Sequence, residues 1–164
     1  MRYFKSIKER DPAARHALQI ILTYPGFKAM FWFRVAHFFY KIHFKLLAEI
    51  ITYITRRRTG IEIHPAAKIG KRLFIDHGMG TVIGETSIIG DDCTFYHGVT
   101  LGGNGYDKDK RHPTLGNNVT VGAHAQLIGN INIGNHARIG ANATVVKDVA
   151  EYEVVIGPRA LPKE

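Results

Sequence analysis

The sequence predicts a mainly β protein, a parallel β-solenoid preceded by a short α-helical segment. Large apolar residues return every six positions through the C-terminal two thirds of the chain, and small or β-branched residues follow many of them after four positions. Charge changes at the same boundary, because residues 1–58 hold twelve Lys and Arg against three Asp and Glu, whereas residues 59–164 hold ten against eleven. The predicted parts are a helical segment (1–59), a solenoid (60–150) and a C-terminal tail (151–164).

The composition fits one folded domain with an appended segment. Of the 164 residues 45% are hydrophobic and 22% charged, so the chain can form a sizeable core and does not have the composition of a disordered protein. The net charge of +8 would suit acidic partners such as nucleic acid or an anionic membrane. Because the solenoid part alone is nearly neutral, no nucleic-acid partner is expected.

Cysteine usage indicates a reducing compartment. The one cysteine, Cys93, excludes an intramolecular disulfide and zinc-finger spacing. It stands four positions after Ile89, at the small position of the repeat, which predicts a buried structural thiol rather than an acyl-carrying nucleophile. The N-terminus lacks the apolar stretch of a secretory signal, and charges interrupt the apolar region 27–54, so we expect a cytoplasmic protein without a membrane span.

Two helices are predicted in the N-terminal segment. Asp11-Pro12 is typical of a helix start and predicts a helix to about Leu22, and Pro25-Gly26 predicts a break before a second helix from about Lys28 to Arg58. Apolar residues spaced by three and four along the second helix predict one apolar face: Phe31, Val35, Phe38, Ile42, Leu46, Ile50 and Ile54. We expect this face to pack on the solenoid or on another subunit; the alternative is a basic amphipathic helix on a membrane.

Thirteen hexads carry the solenoid prediction. Their inward-facing residues are Ile63, Ile69, Ile75, Ile83, Ile89, Phe95, Leu101, Leu115, Val121, Leu127, Ile133, Ile139 and Val145. Six residues advance a helix by about 600°, so a six-residue stripe would drift around a helix. One short strand and one turn hold this period, and three such strands close a triangular coil. Coils spaced by about 4.8 Å give a prism of roughly four coils and about 20 Å in height.

A polar insert interrupts the repeat between Leu101 and Leu115. We expect the solenoid to extrude residues 102–114 as a loop, and loops on rigid scaffolds often carry binding groups. The Gly102-Gly103 pair would let a ligand approach backbone amides closely.

Several motifs resemble a known family. The hexads are similar to those of the hexapeptide-repeat acyltransferases, whose prisms are left-handed and trimeric. Four motifs look more narrowly like serine O-acetyltransferase: Ile63-His64-Pro65-Ala66-Ala67-Lys68-Ile69-Gly70, the run from Ile75-Asp76-His77-Gly78 to Val82-Ile83-Gly84-Glu85-Thr86, Val99-Thr100-Leu101-Gly102-Gly103, and Arg111-His112-Pro113. The resemblance, over about residues 9–150, implies a left-handed parallel β-helix that transfers acetyl from acetyl-CoA to the hydroxyl of L-serine, giving O-acetylserine for cysteine biosynthesis.

The resemblance also implies the catalytic residues. His77 matches the family's general base, and an imidazole with a near-neutral pKa is suited to that role. Glu62 stands where the family has an aspartate that holds the second ring nitrogen of the base. Serine would attack acetyl-CoA directly, without an acyl-enzyme.

The substrate residues come from the same motif matches. Asp11, Asp76, Arg111 and His112 match residues that bind the amino acid. Carboxylates suit its ammonium group, arginine suits its carboxylate, and histidine suits the carboxylate or the tetrahedral oxyanion. The positions that match acetyl-CoA contacts are Gly103, Asn104, Ala123 and Ala141. The resemblance implies no metal.

Other functions on this scaffold stay open at the level of sequence. An O-acetyltransferase of this type could act on homoserine or a sugar, and a non-enzymatic prism could bind a membrane or a partner through its basic helices. Zinc carbonic anhydrases share the solenoid and use two histidines five residues apart, a spacing that none of the nine histidines shows.

The resemblance implies a homotrimer. Longer family members join two trimers into a hexamer through additional N-terminal helices, whereas this chain begins ten residues before Asp11, so we expect a trimer, with a hexamer as the alternative. The sequence ends in Leu161-Pro162-Lys163-Glu164 rather than in the isoleucine-terminated tail by which relatives bind O-acetylserine sulfhydrylase, and that complex is not expected.

Overall fold

A computed structural model describes residues 2–105 and 109–157. The chain begins with helices that we call the helical arm, and they are α1 (Arg2–Arg10), α2 (Ala17–Thr23), α3 (Pro25–Lys41) and α4 (Lys45–Thr59). Short parallel strands then form the prism. None of the helices in the described ranges combines the length and the apolar character that crossing a membrane requires.

The start of the first predicted helix is wrong. Helix α1 ends at Arg10, and Asp11 closes a turn in which its Oδ1 accepts the N–H of Ala13 at 2.8 Å. Helix α2 begins later and is capped by His16, whose Nδ1 accepts the N–H of Gln19 at 3.1 Å. Aspartate before proline favours both a helix cap and an Asx turn, and here the local turn takes the side chain.

The single long second helix is also wrong. The chain reverses after Lys41 through His43, which has a left-handed φ of 68°, and the resulting α3 and α4 pack together as a hairpin. A straight helix from Lys28 to Arg58 would extend about 46 Å at 1.5 Å per residue, far beyond the prism that it has to contact. The reversal lets α3 contact the first and third sheets while α4 leads directly into the first strand.

The strands follow the six-residue period. Their bounds are β1 (Glu62–Ile63), β2 (Lys68–Ile69), β3 (Phe74–Ile75), β4 (Val82–Ile83), β5 (Ile88–Ile89), β6 (Thr94–Phe95), β7 (Thr100–Gly102), β8 (Thr114–Leu115), β9 (Thr120–Val121), β10 (Gln126–Ile128), β11 (Asn132–Ile133), β12 (Arg138–Ile139), β13 (Thr144–Val145) and β14 (Val154–Val155). From β1 to β13 every third strand joins the same parallel sheet, and β14 then pairs with β12. The orders are β1-β4-β7-β10-β13 in the first sheet, β2-β5-β8-β11 in the second and β3-β6-β9-β12-β14 in the third.

The core of the prism is a column of the thirteen predicted inward residues, and all of them are buried. Matching residues stack in register in successive coils, as where Ile63 lies beside Ile83 and Ile83 beside Leu101. Cys93 is buried as predicted, with its Sγ 3.2 Å from the carbonyl oxygen of Gly116. Burial raises the pKa of its thiol to about 11, so the nucleophilic thiolate is disfavoured.

The coil continues beyond the predicted end of the solenoid at residue 150. Strand β14 pairs with β12 and lies within the segment predicted as a tail. The terminal residues Leu161-Pro162-Lys163-Glu164 lie outside the described ranges, as do residues 106–108 of the predicted loop.

The predicted apolar face of the arm does not point into this chain. Most of its members are exposed, with Leu46 at 71%, whereas the buried positions of α3 include Ala29, Phe33 and Ala36. Small residues let the helix approach the prism closely, since Gly26 leaves no room for a Cβ against the carbonyl of Ile75. Hence the spacing marked an apolar stripe, but a different stripe covers the prism.

Candidate active site

His77 lies at the edge where the third sheet passes into the first, which we call the His77 edge. Asp76 and His77 follow β3, and the turn has left-handed φ values of 57° at His77 and 75° at Gly78. This conformation is uncommon for residues other than glycine, and it holds the imidazole away from the core. The side chain is 76% exposed, and its Nε2 lies 3.8 Å from Oδ2 of Asp76.

Asp11 belongs to the arm and contacts Tyr24. Its Oδ2 accepts a hydrogen bond of 2.5 Å from the hydroxyl of Tyr24. Burial raises the pKa of Tyr24 to about 12, and the hydrogen bond to Asp11 and the charges of Asp11 and Asp76 add to the increase. Tyr24 thus feels the charges of both Asp11 and Asp76, and Asp76 lies beside His77. Sequence reasoning did not identify Tyr24.

Arg111 and His112 lie at another edge, where the first sheet passes into the second and the extruded loop returns; we call it the loop edge. Arg111 Nη2 pairs with Oε2 of Glu85 at 2.6 Å. The backbone N–H groups of Arg111 and His112 both donate to Oγ1 of Thr86 at 3.0 Å. These contacts join the loop to the coil beneath it, and Gly84 leaves the space that the His112 ring occupies.

The environment of His112 favours the neutral imidazole. Burial is the largest cause that lowers its pKa, and the positive charges of Arg111 and Lys110 lower the pKa further. Its Nδ1 accepts the backbone N–H of Thr86 at 3.2 Å, which leaves the ring proton on Nε2. A neutral ring with a proton on Nε2 can donate a hydrogen bond to an anion.

Glu62 lies beside the His77 turn but pairs elsewhere. The backbone N–H of Glu62 donates to the carbonyl of Thr81 at 2.9 Å, which places β1 against the end of that turn. Its carboxylate forms an ion pair of 2.7 Å with Arg56, in the last turn of α4. Between these two described residues, Glu62 and His77, the structure records no hydrogen bond, and the pairing of Glu62 with the base stays a prediction.

The predicted acetyl-CoA positions divide between the same two edges. Ala123 and Ala141 occupy successive coils of the His77 edge, where Asn142 N–H donates to the carbonyl of Ala123 at 2.9 Å. Gly103 lies at the loop edge, where an added Cβ would be 3.2 Å from Nε2 of His112. Asn104 lies beside Gly129 at the same edge.

The predicted site residues therefore form two half-sites. The His77 edge and the loop edge lie at opposite ends of the strands of the first sheet. Within the described residues, no hydrogen bond or ion pair connects the Asp11, Asp76 and His77 group with Arg111 and His112.

Three histidines line the His77 edge in successive coils, a feature that sequence reasoning missed. The ring of His97 lies 6.0 Å from that of His77 and 4.9 Å from that of His124, both nearly perpendicular. His77 and His97 each stand two residues after a paired inward residue, Ile75 and Phe95, whereas His124 stands three residues after Val121, so the repeat aligns only the first two. Nowhere in residues 2–105 or 109–157 do three or more His, Cys, Asp or Glu side chains converge as a metal site would require.

Comparisons with known proteins agree with this architecture. The family model described as bacterial transferase hexapeptide (six repeats) matches residues 112–147. A serine acetyltransferase of Helicobacter pylori is 53% identical over 154 residues, covering 94% of this chain and 90% of the relative. A serine acetyltransferase of Synechococcus elongatus is also 53% identical over 154 residues, and there the match covers 94% of this chain and 63% of the relative.

Solved structures show the same fold. Neisseria gonorrhoeae serine acetyltransferase in complex with serine superposes with a TM-score of 0.91 at 41% identity, covering 97% of this chain and 65% of that one. A serine acetyltransferase in complex with CoA matches with a TM-score of 0.88 at 37% identity, covering 94% and 64%. The three parallel sheets and these matches establish the predicted left-handed parallel β-helix. On the strength of the relative matched over 90% of its length, the chain belongs to the serine acetyltransferase family.

Proposed function

We propose that the protein transfers the acetyl group of acetyl-CoA to the hydroxyl of L-serine, giving O-acetylserine and CoA. The observation that carries this proposal is the identity of 53% with serine acetyltransferases across 94% of the chain. The site chemistry supports it, because the carboxylate of Asp76 lies 3.8 Å from the exposed imidazole of His77. A serine-bound and a CoA-bound relative match the same fold.

In the proposed reaction His77 acts as the general base. Its imidazole takes the proton of the serine hydroxyl while that oxygen attacks the acetyl carbonyl and forms the new C–O bond. The tetrahedral intermediate then breaks its C–S bond, and the imidazolium returns the proton to the CoA sulfur. Proton and electron pairs balance without an acyl-enzyme, which agrees with the buried thiol of Cys93.

The remaining groups are assigned by charge. Asp11 and Asp76 would bind the ammonium group of serine, and Arg111 its carboxylate. The Nε2 proton of His112 would stabilise the oxyanion or the carboxylate. Glu62 would hold the imidazolium of His77, and doing so requires its carboxylate to leave Arg56.

Acetyl-CoA would lie between the His77 edge of one subunit and the loop edge of another. The backbone amides near Ala123 and Ala141 on one side, and near Gly103 and Asn104 on the other, are open to a pantetheine arm because these side chains are small or absent or lie in the loop. The reaction needs no metal in this scheme.

We further propose a homotrimer in which the His77 edge of one subunit meets the loop edge of the next; a hexamer of two such trimers is the alternative. Two half-sites on separate edges of one chain support this assembly, as do the exposed apolar side chains of the arm. We also propose a cytoplasmic enzyme of cysteine biosynthesis, which agrees with the single free thiol.

The test of the activity is an acceptor panel. Serine, homoserine and a sugar are each incubated with acetyl-CoA while release of the CoA thiol is followed. Serine should be the preferred acceptor, and His77→Ala should lower its kcat by about 100- to 10,000-fold. A higher kcat/KM for homoserine or the sugar, or a fully active His77→Ala, would contradict the proposal.

The assembly has its own test by mixing two inactive variants. His77→Ala damages one edge and His112→Ala the other, so a mixed trimer contains a site built from an intact edge of each parent. Denaturing and refolding the two variants together should restore serine acetylation, whereas each refolded alone should stay inactive. Failure to recover activity in verified mixed trimers would place both edges in one subunit's site.

A further inference from the structure

Tyr24 occupies a rigid junction between two helices. Its N–H donates to the carbonyl of Ile20 at 3.1 Å and ends α2, and Pro25 directly begins α3. The backbone at Tyr24 is extended, with φ −86° and ψ 111°. This junction leaves little freedom in where the side chain starts.

The ring of Tyr24 is held against the strand that leads to the base. It stacks on Phe74 with centroids 6.5 Å apart and planes at 29°. Phe74 is buried in β3, two residues before Asp76. Gly26, two residues after Tyr24, lies directly against Ile75 of the same strand. The arm is therefore docked on β3 both at the tyrosine and two residues after it.

The hydroxyl of Tyr24 fixes a carboxylate that forms no ion pair with a described residue. It donates to Oδ2 of Asp11 at 2.5 Å, while Oδ1 of Asp11 accepts the N–H of Ala13 at 2.8 Å. Each oxygen keeps a free lone pair, so the oriented carboxylate can accept further donors. Among the described residues, the ion pairs include no lysine or arginine on Asp11 or Asp76. An ammonium group would supply the missing charge.

We propose that Tyr24 is a positioning residue of the acceptor site: its hydroxyl holds Asp11 so that this carboxylate and Asp76 together bind the ammonium group of the acceptor. The inference rests on the proposed function and adds a residue to it. Tyr24 acts through Asp11 and does not touch the reacting atoms.

The protonation of the phenol agrees with this role. Because burial and the two carboxylates raise its pKa to about 12, the hydroxyl keeps its proton over the pH range in which such an enzyme works. It is thus always a donor to Asp11.

The experiment compares Tyr24→Phe with Tyr3→Phe. Both changes remove one phenol hydroxyl beside β3 and keep the ring; the Tyr3 hydroxyl donates to the carbonyl of Leu73 at 3.1 Å and does not reach Asp11. Losing a hydrogen bond to a charged group should raise the KM for serine by about tenfold in Tyr24→Phe. The KM for acetyl-CoA and the kcat should stay within about twofold, and Tyr3→Phe should change neither KM.

A double-mutant cycle with Asp11→Asn separates positioning from packing. Once Asp11 has lost its charge, adding Tyr24→Phe should raise the serine KM by less than about twofold. The inference is overturned if Tyr24→Phe leaves the serine KM unchanged, if Tyr3→Phe raises it equally, or if the effects of Tyr24→Phe and Asp11→Asn simply multiply. A wild type that releases no CoA with serine overturns the proposed function as well, and the same assay reveals this before any variant is compared.

Discussion

The prism and the helical arm differ in where they place their apolar side chains. Every inward residue of the thirteen hexads is buried within its own chain, whereas six of the seven residues on the predicted apolar face of the arm are exposed. A coiled repeat closes its own core because each strand covers the next. A helical hairpin has two outer faces, and only one of them can pack against the prism. The buried column of the prism stabilises the single chain, and the exposed face of the arm is the surface that the proposed assembly would cover.

The largest effect should come from paired leucine truncations in the two regions. Leu101→Ala opens a cavity in the prism and should lower the free energy of unfolding by about 2–5 kcal/mol. Leu46→Ala removes an exposed side chain and should change the unfolding of dilute chains by no more than about 0.5 kcal/mol. Urea denaturation measures both values.

Sedimentation then sharpens the contrast. Leu46→Ala should shift subunit dissociation to higher protein concentration, because the exposed leucine is expected to be covered only in the assembly. Equal losses of unfolding free energy in the two variants, or an unchanged dissociation constant for Leu46→Ala, would remove the distinction between a self-sufficient prism and an interface-forming arm.

A smaller effect concerns pH and also belongs to the prism. Burial lowers the pKa of His64 and of His112 below the ordinary value of about 6.5. Between the lowered and the ordinary pKa the unfolded chain binds more protons, so stability should fall as pH decreases through this window and level off below the folded-state pKa. His112→Gln should flatten the slope of unfolding free energy against pH, and an unaltered slope would show that its ring does not contribute.

How far the sequence determined these results depends on the range of the interactions. The buried column from Ile63 to Val145 could be predicted because each hexad repeats one local geometry. The reversal at His43 could not be predicted, because the residue with the left-handed φ is a histidine and not the glycine that usually marks such a turn. The predicted helix start at Asp11 was wrong because an Asp-Pro dipeptide favours both a helix cap and an Asx turn.

The sequence predicted which residues belong to the site, but not how they are arranged relative to one another. Motif matching assigned the groups on both edges, and only the coil geometry separated them. The contact of His112 with Thr86, 26 residues earlier, depends on the loop returning onto the coil beneath it. Tyr24 was missed because its proposed role depends on one hydrogen bond to Asp11, which no periodicity marks.

The extruded loop has a consequence for how such proteins can diversify. Leu101 pairs with Leu127 in the first sheet, and Leu115 pairs with Ile133 in the second. The strands before and after the insertion therefore keep the register of the repeat. Insertions and deletions between Gly103 and Arg111 would therefore leave the scaffold in register. A new acceptor preference could arise from a few substitutions or insertions in this stretch, while the prism keeps its fold.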